Sequence, residues 1–190
     1  MASQSDSQSQ LIIGPRGTLR HALLDGLGAA GGTPTVLDPN DDRFAPALAS
    51  WIRDLGEGTT GAIVVNILDA SPAGGLQDMA LDAFERLLDT QIASTWRMLS
   101  ELLQALRGRG GVVVNVMPIV PGALCLAESL AILGRCAAIE GGAPTRPVRV
   151  HTITTRPHVR ESDVASAAAF LAGDGASYMS GNVLRLGEPA

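Results

Sequence analysis

Residues 110–140 read GGVVVNVMPIVPGALCLAESLAILGRCAAIE, and the reading of this stretch decides the fold. Val112 to Val116, with Asn115 inside it, is a short run rich in β-branched residues. Such a run suits a parallel strand covered on both faces. After a loop carrying Pro118, Pro121 and Gly122, a helix is expected from Ala123 to Glu140. Glu128 and Arg135 stand on that helix, and nearly every other position is apolar or small. A helix apolar almost all round must be covered on more than one side. One cover is the chain's own sheet; the other calls for a partner. Leu126, Leu130, Leu133 and Ala137 form the expected sheet-facing line. Leu124, Glu128, Ala131 and Arg135 are then left outside, with Ala131 expected near a partner contact.

Working outward, strand-like and helix-like runs alternate. Strands are expected at Leu11–Gly14, Thr35–Leu37, Gly61–Asn66 and Val148–Ile153, with a closing one inside YMSGNVLRL. Helices are expected over Thr18–Ala30, Ala80–Leu106 and Ser162–Ala172, the last with Ser162 as N-cap. This order predicts an α/β, Rossmann-like open sheet, mostly parallel, of about six strands with helices on both faces. Residues 11–190 read as a single domain, and residues 1–10, MASQSDSQSQ, as a disordered tail.

Composition narrows the function. The 190 residues carry a net charge of −5 and show no basic stripe, which argues against nucleic acid as a partner. No apolar run approaches the roughly 18 residues that span a bilayer, and the N-terminus lacks the basic and apolar regions of a secretory signal. A cytoplasmic location is expected. Cys125 and Cys136 fall on one helix about 16 Å apart, too far to bridge, and read as buried reduced thiols.

The strand–helix stretch resembles the short-chain dehydrogenase/reductase family, in which a strand of the type IVNISS precedes a helix of the type YxxSKAALxGLTRxLAxE. GAIVVN at 61–66 is similar to the family's DVLVNNAG, VRVHTI at 148–153 to its IRVNTI, and SDVASAAAFLA with YMSGNVLRL to its closing helix and strand. Alignment on Leu133, Arg135, Ala138 and Glu140 places Ala123 at the family's catalytic Tyr and Ala127 at its Lys. The family's Ser falls at Met117 or Pro118 and its catalytic Asn at Gln91. The catalytic residues do not carry over. All fourteen basic residues are Arg, so no Tyr–Lys pair exists anywhere in the chain. That pair matters because a nearby ammonium lowers the tyrosine pKa from its usual value of about 10. The single Tyr, Tyr178, reads as a packed aromatic.

The resemblance extends to degenerate motifs. GPRGTLR stands where the family has TGxxxGxG; Gly14 and Gly17 remain, but the spacing is compressed and Pro15 removes a backbone donor. Arg16 reads as a solvated loop charge. Asp38 could bind a ribose, yet with Asp41 and Asp42 it reads better as a turn and capping residue, on an alignment in which one strand–helix pair has been lost. Ile67, Leu68 and Asp69 replace the family's NAG. His151 reads as a hydrogen-bonded packing residue rather than a ligand or base. Arg156, His158 and Arg160 read as a solvated loop, where the family has a long substrate-covering segment.

What the resemblance implies is a catalytically inactive, truncated member of the family, holding no cofactor and no metal in this chain. Its expected role is a structural subunit of a hetero-oligomeric dehydrogenase. A full-length catalytic subunit would hold NAD and join through helices 80–106 and 123–140. The expected substrate is a hydroxyacyl-CoA such as hydroxyphenylmethyl-succinyl-CoA, in toluene degradation. The competing reading is a homo-oligomeric small-molecule or dinucleotide-binding sensor without catalysis.

Overall fold

A computed structural model describes residues 8–29, 32–55, 59, 61–69, 77, 79–120 and 123–187. Six parallel strands, β1 (Ser9–Ile13), β2 (Thr35–Leu37), β3 (Ala62–Ile67), β4 (Gly111–Pro118), β5 (Val148–Thr155) and β6 (Val183–Leu186), form one sheet in the order β2-β1-β3-β4-β5-β6. The expected sheet class is therefore observed. β1 begins at Ser9, inside the stretch read as a tail: Gln10 pairs with Ile63, and a ladder can use polar residues that hydrophobic patterning overlooks. Residues 1–7 lie outside the described residues.

Helix α1 (Thr18–Gly28) packs with α6 (Glu161–Ala172) on one face, through Leu23, Leu27, Val164 and Ala168. Helices α2 (Phe44–Asp54), α4 (Ser94–Leu106) and α5 (Leu124–Glu140) cover the other. β1 to β2 steps one way along the sheet, and every later crossover steps the other way or past β1. Since α1 and α6 share a face, the β5–α6–β6 crossover has the opposite hand to the other four, an uncommon arrangement.

Arg149 of β5 anchors that crossover. Its buried guanidinium donates to the carbonyls of Leu171 and Ala176 at 2.8 Å each, and to Ala172 and Gly173 at 3.3 and 3.4 Å. The carbonyls of Leu171 and Ala172 lie in the last turn of α6, at the negative end of the helix dipole, while those of Gly173 and Ala176 also accept the N–H groups of Ala176 and Met179 at 3.3 and 2.9 Å. His151, two residues on and on the same face, is fully buried, and neither ring nitrogen has a hydrogen-bond partner among the described residues. The packing role expected of it holds; the expected hydrogen bond does not form. Burial, and secondarily the Arg149 charge, pushes its pKa down to about 4.

Five further expectations are corrected. The helix foreseen over 80–106 is α3 (Leu81–Leu87), a π-helical segment (Leu88–Ala93) and α4 in succession. Hydroxyls of Thr90 and Ser94 bond back to the carbonyls of Arg86 and Thr90 across this segment, a pattern that perturbs regular helix. Ser162 is not a cap: α6 starts at Glu161, and Arg160 pairs with Asp163 across the first turn. Tyr178 is 85% exposed rather than packed, Cys136 is exposed, and Cys125 is half-buried. Ala131 is 2% exposed and faces the sheet side, together with Gly134, where a Cβ would lie 2.7 Å from the Thr152 hydroxyl. The outer stripe of α5 is Leu124, Glu128, Ile132, Arg135 and Ile139. Close approach of α5 to β5 at Gly134 rotates the small residues inward, which an all-apolar pattern cannot reveal.

Candidate functional site

Strand order reverses between β1 and β3, and in open α/β sheets ligands lie in the crevice at the carboxyl ends of such strands. A cleft of about 370 Å³ occupies this position. Ile13, Phe44 and Met98 supply apolar wall, and Asn40, Asn66 and Gln91 supply amides. Gln91, which the resemblance would align with the family's Asn, enters through the π-helical segment, a local distortion that is frequent at functional sites. Among the described residues no basic side chain lines the cleft.

The glycine turn beside it is closed from three directions. Ile67 lies against Gly14, so that a Cβ on residue 14 would sit 2.7 Å from the Ile67 Cβ. The Gly14 N–H is spent on the Leu37 carbonyl at 3.0 Å, and Pro15 has none to give. Arg20 donates to the Gly14 carbonyl at 3.2 Å and pairs with Asp38 at 3.8 Å. Asp38 also accepts the Asn40 N–H at 3.0 Å, and Asp41 accepts that of Arg43 at 2.8 Å. This Arg43 N–H holds the Asp41 carboxyl below its usual pKa. Both aspartates are thus turn residues, as their spacing predicts. Arg16 is exposed, in agreement with the sequence reading.

Across Leu68 from the cleft, the structure brings Met117, Ala123 and Ala127 together. They form a closed apolar cluster with Leu68, Leu126 and Leu130, every member 5% exposed or less. Ile92, Ile119 and Val120 pack around its edge. Gln91 stays outside, on the cleft wall. Under the cluster runs a polar row that sequence reading missed: Asn66, Asn115 and Thr152 are in register on three adjacent strands. The Asn66 amide donates to the Asn115 carbonyl oxygen at 3.2 Å. The Asn115 amide nitrogen and the Thr154 hydroxyl are buried without partners among the described residues. Only the asparagines in otherwise apolar strands signalled this row. Among the described residues no group of His, Cys, Asp and Glu is arranged to hold a metal. No helix there is long and apolar enough to cross a membrane.

No protein-family model matches the chain, and no curated protein matches it. Solved structures do. A short-chain dehydrogenase/reductase from Brucella ovis, in complex with a partially ordered NAD, is 18% identical over 95% of this chain and 100% of that one, with a TM-score of 0.73. The chain has the short-chain dehydrogenase/reductase fold. A short chain dehydrogenase from Mycobacterium smegmatis is 18% identical, with coverage of 96% and 93% and a TM-score of 0.71. A short-chain dehydrogenase/reductase of the glucose/ribitol type from Brucella melitensis is 14% identical, with coverage of 97% and 99% and a TM-score of 0.73. Identities this low carry the fold alone. Function must be argued from the residues at the strand ends.

Proposed function

We propose that this chain is a catalytically silent subunit of a hetero-oligomeric, NAD-dependent dehydrogenase of the short-chain type. A full-length companion chain supplies the cofactor site, the Tyr and the Lys, and joins through the face formed by α4 and α5. The observation that carries this reading is the apolar cluster around Ala123 and Ala127. It occupies the positions that the resemblance gives to the acid/base pair, in a chain with no Lys at all. A dinucleotide also fits poorly at the glycine turn, where the first donor is spent, the second is absent and Arg20 engages Asp38.

On the resemblance, the complex oxidises a hydroxyacyl-CoA, with hydroxyphenylmethyl-succinyl-CoA of anaerobic toluene degradation as the specific candidate, in the cytoplasm. Reconstitution with the companion tests the division of labour. Replacing the companion's catalytic Tyr by Phe should abolish turnover with this chain unchanged; wild-type turnover in that complex overturns the proposal.

A second reading, a homo-oligomeric sensor of a small molecule, is favoured by the 370 Å³ cleft and its amides. It predicts saturable ligand binding by the isolated chain and no requirement for a companion.

A further inference from the structure

A second cleft, of about 360 Å³, opens at the opposite end of the molecule, where strands β4 and β5 begin. Helices α4 and α5 both end there, so two negative dipole ends converge on it. Its charged lining comes from three segments: Arg107 just after α4, Glu140 at the end of α5, and Arg146 in the loop before β5. All three are exposed, and none of their side chains makes a hydrogen bond or ion pair among the described residues. Leu103 and Val148, both packed into the core, supply an apolar floor.

The walls of this cleft are fixed before any ligand arrives. The Val148 N–H donates to the Gly141 carbonyl at 2.9 Å, closing the loop, and the Gly111 N–H reaches the Pro147 carbonyl at 3.3 Å. A Cβ on Gly141 would lie 2.5 Å from the Val148 carbonyl and 3.0 Å from Leu103, so a larger residue cannot stand there. Gly110 has a φ of +78°, which favours glycine, and lies against Arg146 and Pro147. Preformed walls lower the ordering cost of binding.

From this lining we infer that the cleft is a binding site for a small zwitterion, an α-amino acid with an apolar side chain. Two guanidinium groups suit one carboxylate, which they can grip with paired N–H donors. Glu140 and the helix-terminal carbonyls suit an ammonium, and they disfavour a dianion such as phosphate. The apolar floor suits a branched aliphatic side chain. The site lies away from the strand carboxyl ends, and its occupation is independent of whether the chain is a silent subunit or a sensor.

The test is a nuclear magnetic resonance titration of the full chain with L-leucine, L-leucinamide, 4-methylpentanoate and inorganic phosphate. L-leucine should produce saturable shifts at the amides of Gly108, Gly141, Gly142 and Arg146. Loss of either ligand charge should weaken binding by about tenfold or more, the equivalent of one charged hydrogen bond. The Arg107→Gln/Arg146→Gln variant should abolish the leucine shifts, while Glu140→Gln should weaken leucine and strengthen 4-methylpentanoate. All substituted residues are exposed, so the variants should keep the wild-type spectrum elsewhere. The inference fails if leucine gives no saturable shift, if phosphate binds as well as leucine, or if leucinamide and 4-methylpentanoate match it.

Discussion

Ile67 rests on the backbone of Gly14, close enough that a Cβ at residue 14 would meet the Ile67 Cβ at 2.7 Å. The contact joins the ends of β1 and β3 at the point where strand order reverses, and it fills space beside the glycine turn. Gly14→Ala should therefore destabilise the fold by about 1–3 kcal/mol through overpacking. In Ile67→Gly, which removes the opposing Cβ, the same change should cost much less, giving a positive coupling in a double-mutant cycle by urea denaturation. Additive effects would mean that the two residues do not share this space.

Ala127 is 1% exposed inside the apolar cluster. Ala127→Lys should place an uncompensated charge there and cost about 3–5 kcal/mol. Ala123→Tyr with Ala127→Lys should accordingly fail to create dehydrogenase activity and should lower the unfolding midpoint. A double variant as stable as the wild type would show that the cluster opens to solvent.

His151 makes stability depend on acid. Its pKa of about 4 in the folded chain lies below the 6.5 of an unperturbed imidazole, so the unfolded chain takes up the proton first. The neutral His151 contributes its full effect above pH 6.5. That contribution falls as pH drops from 6.5 towards 4, by at most about 3 kcal/mol. In His151→Leu the loss across this window should be much reduced; an unchanged slope would assign the acid sensitivity to other groups.

The exposed stripe of α5 predicts where association is sensitive. Ile132 is 59% exposed, whereas Ala131 is 2% exposed. Ile132→Arg should weaken the complex and leave far-UV circular dichroism unchanged, since obligate interfaces that bury roughly 2,000 Å² or more tolerate a central charge poorly. Ala131→Arg should instead disrupt the monomer itself. Gel filtration at low protein concentration separates the two, and an intact Ile132→Arg complex would place the interface elsewhere.

Much of this architecture is legible in the sequence, because β-branched runs such as Val112–Val114 and Ile63–Val65 have few alternatives to a buried parallel strand. The candidate site is legible mainly by what it lacks: no Lys, and alanines at 123 and 127. What stays hidden depends on three-dimensional neighbours. α5 is apolar nearly all round, so its periodicity cannot say that Gly134 presses on Thr152 and turns Ala131 inward. Arg149 looks like an ordinary strand-edge charge until the opposite-handed crossover brings the end of α6 over it. Tyr178 carries the usual signature of a packed aromatic, yet it follows the turn at Asp174–Ala176 and faces solvent.

Catalytic silence is tested most directly by titrating NAD into the purified chain in a calorimeter. The closed glycine turn and the apolar cluster predict heats no larger than dilution, with or without substrate present. One-to-one binding at micromolar strength would contradict the silent-subunit reading and return the strand-end cleft to the role of a cofactor site.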